Sequence, residues 1–334
     1  MASITQNGKH EGILVEQPFG QIRKRMRLPL IAAPMFLVSG VEFVSAACKN
    51  GVVGAFPTAN CRGTAQLEEW LTEISERLRR HEGETGEFCA PFCPNLIVHR
   101  SNPRLYDDLD VIMRHKAKLV ITSVGSPAPV LEPLHQCGAL VFADVATIRH
   151  AQRALAVGAD GLVLLTAGAG GQTGWLNPFS FARAVRTFFK GPLVLAGGIS
   201  DGQALRAAEV LGCDLAYMGT KFIATVESMA DPKYKQMLVD STADDIVLTR
   251  AFTGLQTNML RPSIVAAGLD PDALPERDPI NIAKDIDVIA REREPKRWRD
   301  IWTAGHSTSG VNKITTVAEL IAQISLEYHG ACAI

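Results

Sequence analysis

Long apolar runs are missing from this sequence, in which no stretch approaches the roughly 20 residues that a membrane span needs. An excess of charge is missing too, because 34 basic residues are balanced by 35 acidic ones. Such a balance argues against nucleic acid or an anionic membrane as the main partner. The basic patch and apolar core of a signal peptide do not occur in the first residues, MASITQNGKHEGILVEQ. We therefore expect a cytoplasmic enzyme.

Clusters of metal-ligand type are also missing. Seven cysteines are scattered along 334 residues, and no second Cys or His pair follows Cys89 and Cys93 at the spacing of a metal site. We interpret the cysteines as buried, reduced thiols that act as small apolar residues. No metal is therefore expected.

The sequence does contain a repeating alternation of short apolar runs and amphipathic stretches. The eight runs are LPLIAAPM, VVGAFPT, FCAPFCPNLIV, AKLVITSVG, ALVFADVAT, GLVLLTAG, PLVLAGGIS and LAYMGTKFI. Because they are apolar throughout, they are typical of parallel strands buried on both faces. Eight such strands with helices between them predict an α/β fold, the (β/α)₈ TIM barrel. The alternative is a doubly wound open sheet, whose glycine fingerprint would follow the first strand, whereas the glycines here follow strands six to eight.

The alternation stops at Glu227 and returns late in the sequence. In between, helix-like pieces are separated by clusters of Pro, Gly and Asp. We predict an N-terminal extension over residues 1–27, a barrel formed by residues 28–226 and 296–334, and a mostly helical lid over residues 227–295. The lid would cover the mouth of the barrel.

Two glycine-containing loops, AGGISDG and MGTKF, follow strands seven and eight. In TIM barrels, ligands bind at the carboxyl ends of the strands, and these two loops often form a phosphate site. The amides of Gly197 and Gly198 can turn toward an anion, and the helix that starts at Asp201 adds its positive end. Thr220 can add a hydroxyl group. The alternative is that these glycines close tight turns between strands and helices.

Two polar residues end other strands of the predicted barrel, Ser123 in strand four and Asp144 in strand five. The fold would place both at the mouth, where they would line the ligand pocket. Alternatively, each could be a helix cap or a turn former, which are common roles for serine and aspartate.

A family resemblance is carried by five segments, in the order PLIAAPM, GADGLVLLTAGAGGQTG, PLVLAGGISDG, LGCDLAYMGTKF and IWTAGHSTSGV. They resemble the nitronate monooxygenase (2-nitropropane dioxygenase) family, whose members are FMN-dependent barrels that oxidise alkyl nitronates with dioxygen. The resemblance extends from about Leu28 to Tyr328. FMN-dependent enoyl-thioester reductases, which are near relatives, use the same barrel and loop pattern.

The resemblance implies a set of cofactor-binding residues. Those for the FMN phosphate are Gly197, Gly198, Gly219 and Thr220. Those for the flavin ring are Ala33, Pro34, Met35, Asn95, Gly170 and Gly171. With Ser123 and Asp144 at the mouth of the barrel, they form the expected FMN site.

Gln172 is a departure from the family pattern, because members commonly have histidine after the glycines, as AGGH. An imidazole exchanges protons near neutral pH, whereas a carboxamide makes hydrogen bonds without exchanging a proton. As a catalytic residue, Gln172 would orient a nitro or nitronate oxygen but could not be a general base. We therefore expect neutral nitroalkanes to be poorer substrates than their anions.

His306 is a second departure, because relatives often have glutamine in this late segment. Gln172 and His306 could thus be an exchange of two polar groups that face one pocket, which makes His306 the second catalytic candidate. The alternative is a loop histidine that is bonded to backbone or solvent.

The resemblance implies an FMN-dependent oxidoreductase that oxidises alkyl nitronates, or related carbanionic small molecules, with dioxygen. One alternative is an NAD(P)H-dependent FMN reductase of enoyl thioesters, in which Gln172 would polarise a carbonyl. Another is a flavin-binding protein without turnover. A homodimer is compatible with such a barrel, although the sequence identifies no interface.

Overall fold

The computed structural model describes residues 18–274 and 300–331, and its centre is a closed barrel of parallel strands. The strands of the described residues are β1 (Leu30–Ala32), β2 (Val53–Pro57), β3 (Phe92–Ile97), β4 (Leu119–Ser123), β5 (Leu140–Val145), β6 (Gly161–Leu165), β7 (Gly171–Gln172), β8 (Leu193–Ala196), β9 (Leu215–Met218), β10 (Ile246–Thr249) and β11 (Thr257–Leu260). Around the barrel the order is β1, β2, β3, β4, β5, β6, β8 and β9, and β9 pairs back onto β1. All eight predicted strands are present, so the TIM-barrel prediction is confirmed.

Helices α2 to α8 connect the barrel strands on the outside, and the other helices precede or follow the barrel strands in sequence. The helices of the described residues are α1 (Pro18–Lys24), α2 (Val41–Lys49), α3 (Thr64–Thr85), α4 (Leu105–Arg114), α5 (Ala128–Gln136), α6 (Ile148–Ala156), α7 (Pro178–Arg186), α8 (Gly202–Val210), α9 (Thr220–Ile223), α10 (Pro232–Val239), α11 (Arg261–Ala266) and α12 (Val317–Ala331). Thr147, Asn177 and Asp201 cap α6, α7 and α8 with side chains that accept hydrogen bonds from backbone amides. Among these helices, none has both the length and the apolar character needed to cross a membrane.

The barrel interior is filled by inward-facing side chains of its strands, as the fold requires. Fully buried examples are Ile31, Val53, Ile121, Phe142, Val163 and Val194. Helix α1 and the residues directly after it close one end of this core, because Ile22 and Met26 belong to the same apolar cluster and the Phe19 ring lies 6.1 Å from the Phe142 ring. Each such buried aliphatic side chain stabilises the fold by about 1.5–3 kcal/mol. The described part of the predicted N-terminal extension therefore contributes to the barrel core.

The segment that follows the barrel contains helices α10 and α11, as expected of a lid, and also strands. β10 and β11 pair in an antiparallel arrangement, and β11 pairs in turn with β7, in the loop after β6. The β-branched residues Ile246, Val247 and Thr257 favour extended structure here. Because β7 lies far away in the sequence, the local pattern indicated helices and not this sheet. Residues 275–295 of the predicted lid lie outside the described residues.

Candidate functional site

A cavity of about 260 Å³ opens at the carboxyl ends of the barrel strands. The predicted site residues that line it are Ala33, Pro34, Met35, Asn95, Ser123, Asp144, Gly170, Gly171, Gln172, Gly197, Gly198, Gly219 and Thr220. His306 is not part of the lining, although its neighbour Ser307 is. A concave, mostly apolar pocket with a few convergent polar groups is the usual form of a small-molecule site.

Glycine loops approach one another closely at one side of the cavity. A Cβ atom on Gly168 would lie 3.3 Å from the amide nitrogen of Gly198. One on Gly170 would lie 2.8 Å from the amide nitrogen of Gly305, and one on Gly305 would lie 2.5 Å from the carbonyl oxygen of Gly168. Side chains at these positions would push the loops apart, so the close approach requires glycine.

The residues Gly197, Gly198, Gly219 and Thr220, which we call the anion cradle, lie where the loops after β8 and β9 meet. Gly197 and Gly198 have φ angles of 117° and 73°, which favour glycine. Beside the α-carbon of Gly198, no described atom lies within 4 Å of the position that a Cβ would take. The Thr220 hydroxyl oxygen accepts a hydrogen bond from the amide of Gly305 at 2.9 Å, which leaves its own hydrogen available to an anion. Backbone amides and a hydroxyl group together can bind a phosphate.

Two carboxylates bind amides at the amino end of α8, the helix that the sequence predicts to add its positive end to the cradle. The amide of Gly202 donates to the Glu327 carboxylate at 2.9 Å, and the amide of Ala204 donates to the Asp201 carboxylate at 2.7 Å. These two carboxylates satisfy two amides of the helix end and offset part of its positive charge. Glu327 lies on α12, 125 residues after Gly202, so no local pattern could indicate it.

Across the barrel from the anion cradle, a hydrogen-bonded chain of side chains joins β3, β4 and β5. Asn95 donates to the Ser123 oxygen at 2.5 Å, and the Ser123 hydroxyl donates to Oδ2 of Asp144. The other carboxyl oxygen, Oδ1, is buried and has no hydrogen-bond partner among the described residues. Burial raises the pKa of Asp144 to about 7, although the Ser123 hydrogen bond acts in the opposite direction. Asp144 can therefore change its protonation state near neutral pH.

Apolar and aromatic groups form much of the remaining wall. Residues 33–35 follow β1, and the rings of Tyr234 and Trp302 stack with their centroids 4.9 Å apart. The Tyr234 hydroxyl donates to the carbonyl of Thr303. The motifs in the sequence did not identify Tyr234 or Trp302, although Trp302 directly precedes the TAGH segment. Such a wall suits a planar ring or an alkyl chain.

Gln172 lies on β7, which forms a three-stranded sheet with β11 and β10. We call this the lid sheet, and it keeps Gln172 at the cavity. Gln172 pairs with Thr257 across the β7–β11 ladder. Asn258, the next residue of β11, donates from its carboxamide to the carbonyls of Ala167 at 2.9 Å and Ala169 at 2.7 Å. Asn258 thus positions the glycine loop that carries Gln172.

His306 is exposed and lies outside the cavity lining. Its backbone amide donates to the carbonyl of Gly168 at 3.0 Å and begins a 3₁₀ turn (His306–Gly310). Gly305 packs against Gly168 and Gly170, and Nδ1 of the His306 ring lies 3.3 Å from the position that a Cβ on Gly168 would take. His306 therefore lies beside the glycine loop but outside the cavity lining, and a pocket shared with Gln172 stays a prediction.

Replacing Asn258 by alanine is expected to lower the free energy of unfolding by about 1–3 kcal/mol, because two carbonyls lose their donor in a place that water does not reach. Asn258 is 2% exposed. Chemical denaturation measures the change. The matched control is Asn50→Ala, which removes a hydrogen bond to the carbonyl of Ala46 at the end of α2, where the side chain is partly exposed. Equal losses in the two variants would contradict the positioning role of Asn258.

Comparisons with known proteins show what this chain is similar to. A family model described as nitronate monooxygenase matches residues 70–327. The chain is 29% identical to a nitronate monooxygenase of Paraburkholderia phytofirmans, over 90% of this chain and 92% of that protein. Among solved structures, FabK from Thermotoga maritima has a TM-score of 0.77 at 23% identity, covering 96% of this chain and 98% of that chain. The nitroalkane oxidase from Streptomyces ansochromogenes has a TM-score of 0.75 at 22% identity, covering 93% and 99%, so both structures share the fold.

Proposed function

This chain belongs to the nitronate monooxygenase family and is an oxidoreductase, and from that premise we propose that it oxidises alkyl nitronates with dioxygen by means of FMN. The observation that carries the proposal is the anion cradle, whose glycines lie at the carboxyl ends of β8 and β9. In TIM barrels this is a frequent place for a cofactor phosphate.

The residues around the cavity fit FMN. The anion cradle offers amides and a hydroxyl group to the phosphate, while residues 33–35 and Tyr217 offer a largely apolar wall to the flavin ring. The open space beside the α-carbon of Gly198, which any side chain would fill, leaves room for the phosphate. When bound, FMN would accept electrons from the substrate and pass them to dioxygen, while the protein holds the substrate and excludes water.

Gln172 orients the substrate in this proposal. Its two N–H donors can bind the oxygens of a nitronate, and the pairing of β7 with β11 keeps it at the cavity. A nitronate arrives already deprotonated, so it requires no base from this loop. The species that is oxidised is therefore a carbanionic alkyl compound, and the reaction takes place in the cytoplasm with dioxygen as the second reactant.

Anaerobic mixing of the FMN-loaded protein with ethyl nitronate tests the proposal. We expect the visible absorption band of the flavin to bleach and to return when oxygen is admitted. NADH and NADPH, mixed separately, should leave the band unchanged. Rapid bleaching by NAD(P)H alone would instead identify a reductase, and bleaching by no reductant would identify a flavin-binding protein. A folded protein that does not bind FMN would refute the proposal at its first step.

A further inference from the structure

The two oxygens of the Asp144 carboxyl group have different surroundings. Oδ2 accepts the hydrogen bond from Ser123, whose own oxygen accepts from Asn95. Oδ1 has no partner among the described residues, and the Asp144 side chain lines the cavity. A titratable group that is oriented through one atom while its other atom lacks a partner has the arrangement of a positioned acid or base.

The titratable groups around Asp144 do not gain or lose a proton near neutral pH. Tyr217 on β9 and Cys93 on β3 both interact with it, and burial raises the pKa of each well above its usual value. Both therefore stay uncharged in neutral solution. Burial raises the pKa of Asp144 itself to about 7, so its carboxyl group can take up and release a proton in the range where general bases work.

Gln172 and Asp144 lie on the same side of the cavity. Strands β5 and β6 are neighbours, with Asp144 in register with Val163. The loop after β6 folds back onto the end of β5, because a Cβ atom on Gly174 would lie 2.7 Å from the carbonyl oxygen of Ala146. Gln172 and Asp144 each stand two residues from this contact, and both line the cavity. A substrate held by the Gln172 carboxamide would thus be near the Asp144 carboxyl group.

We propose that Asp144 is the general base of this site and accepts the α-proton of a neutral nitroalkane, a role that Gln172 cannot fill. The C–H bond at the α-carbon breaks, its electron pair moves into the nitro group to form the nitronate, and the proton goes to the Asp144 carboxylate. The nitronate is then oxidised as in the proposed function, on which this inference rests. The enzyme therefore uses neutral nitroalkanes as well as their anions, in contrast to the expectation from Gln172 alone.

Steady-state rates of the holoenzyme with nitroethane and with ethyl nitronate separate the two steps. For nitroethane, kcat/KM should rise with pH through about 7 and then level off, because the carboxylate form of Asp144 exists above its pKa. In Asp144→Asn this kcat/KM should fall by about 10²–10⁴-fold more than kcat/KM for ethyl nitronate does in the same variant. In Ser123→Ala the rise should move to higher pH, because the hydrogen bond from Ser123 lowers the pKa of Asp144.

Asp110→Asn, which changes an exposed aspartate of α4, is the matched control and should behave as wild type. Exchange of the α-hydrogens of nitroethane for solvent deuterium, followed by NMR without oxygen, gives a readout that needs no turnover and should be lost in Asp144→Asn. Equal losses on both substrates, or unchanged oxidation of nitroethane, would overturn the role of Asp144. If the wild type oxidises neither substrate, the proposed function fails, and deuterium exchange still decides whether Asp144 is the base.

Discussion

Replacing Gly197 by alanine is expected to lower the affinity for FMN by about 100-fold or more, where each factor of ten corresponds to about 1.4 kcal/mol. Gly197 has a φ of 117°, and conformations of this kind cost other residues about 1–3 kcal/mol. A Cβ atom would also lie 2.3 Å from the Thr166 hydroxyl oxygen and 2.8 Å from the amide nitrogen of Ala169. The loop must shift to relieve both problems, and the amides of the anion cradle shift with it.

Titration of the protein with FMN, followed by flavin fluorescence, measures this affinity. Gly63→Ala is the matched control, because Gly63 has a φ of −169°, which any residue adopts, and no described atom lies within 4 Å of a Cβ placed there. We expect this control to bind FMN as the wild type does. If Gly197→Ala also binds FMN with wild-type affinity, the phosphate does not rest on this loop, and its position must be sought elsewhere in the cavity.

The barrel could be predicted from the sequence because its signals are local. The run VVGAFPT contains β2 (Val53–Pro57), and PLVLAGGIS contains β8 (Leu193–Ala196) together with the glycine turn that follows it. Continuous apolar composition shows that a strand is buried on both faces, and the regular alternation with helices then leaves few topologies to choose from. The ends of the strands follow from the same pattern, which is why many of the residues at the carboxyl ends of the strands could be named in advance.

The features that could not be predicted depend on residues far apart in the sequence. β7 is two residues long, and Gln172 becomes part of a strand because Thr257 lies beside it. The amide of Gly202 is unavailable to an anion because Glu327 reaches it from α12. The pKa of Asp144 is raised by burial among other barrel residues, which the residue type alone does not reveal.

In the proposal, Gln172 orients the substrate and Asp144 accepts the proton. The positions of the two residues suit these roles. Gln172 lies on a loop that depends on the lid sheet for its position, whereas Asp144 lies on a barrel strand and is oriented by Ser123. A general base must accept a proton over a short distance, so it works best when its side chain is rigidly positioned. A barrel strand, paired with a neighbouring strand on each side, provides that support.

Replacing Gly202 by alanine is expected to lower the free energy of unfolding by about 3 kcal/mol, at the upper end of what overpacking usually costs. Gly202 begins α8 where this helix meets α12. A Cβ atom there would lie 2.2 Å from the amide nitrogen of Tyr328 and 2.3 Å from the carbonyl oxygen of Ile324. These are backbone atoms, which cannot rotate away as a flexible side chain could. Helix α12 would therefore have to move outward, and the hydrogen bond from the Gly202 amide to Glu327 would break.

Chemical denaturation followed by circular dichroism measures this loss, and Gly83→Ala is the matched control. Gly83 lies within α3, and no described atom is within 4 Å of a Cβ placed there. Alanine is favoured over glycine in a helix by about 0.5–1 kcal/mol, so the control should raise stability while Gly202→Ala lowers it. The same substitution thus has opposite signs in two helices, because α8 touches the backbone of another helix and α3 at Gly83 does not. If both variants were stabilised, α8 and α12 could not be in the close contact from which the loss was derived.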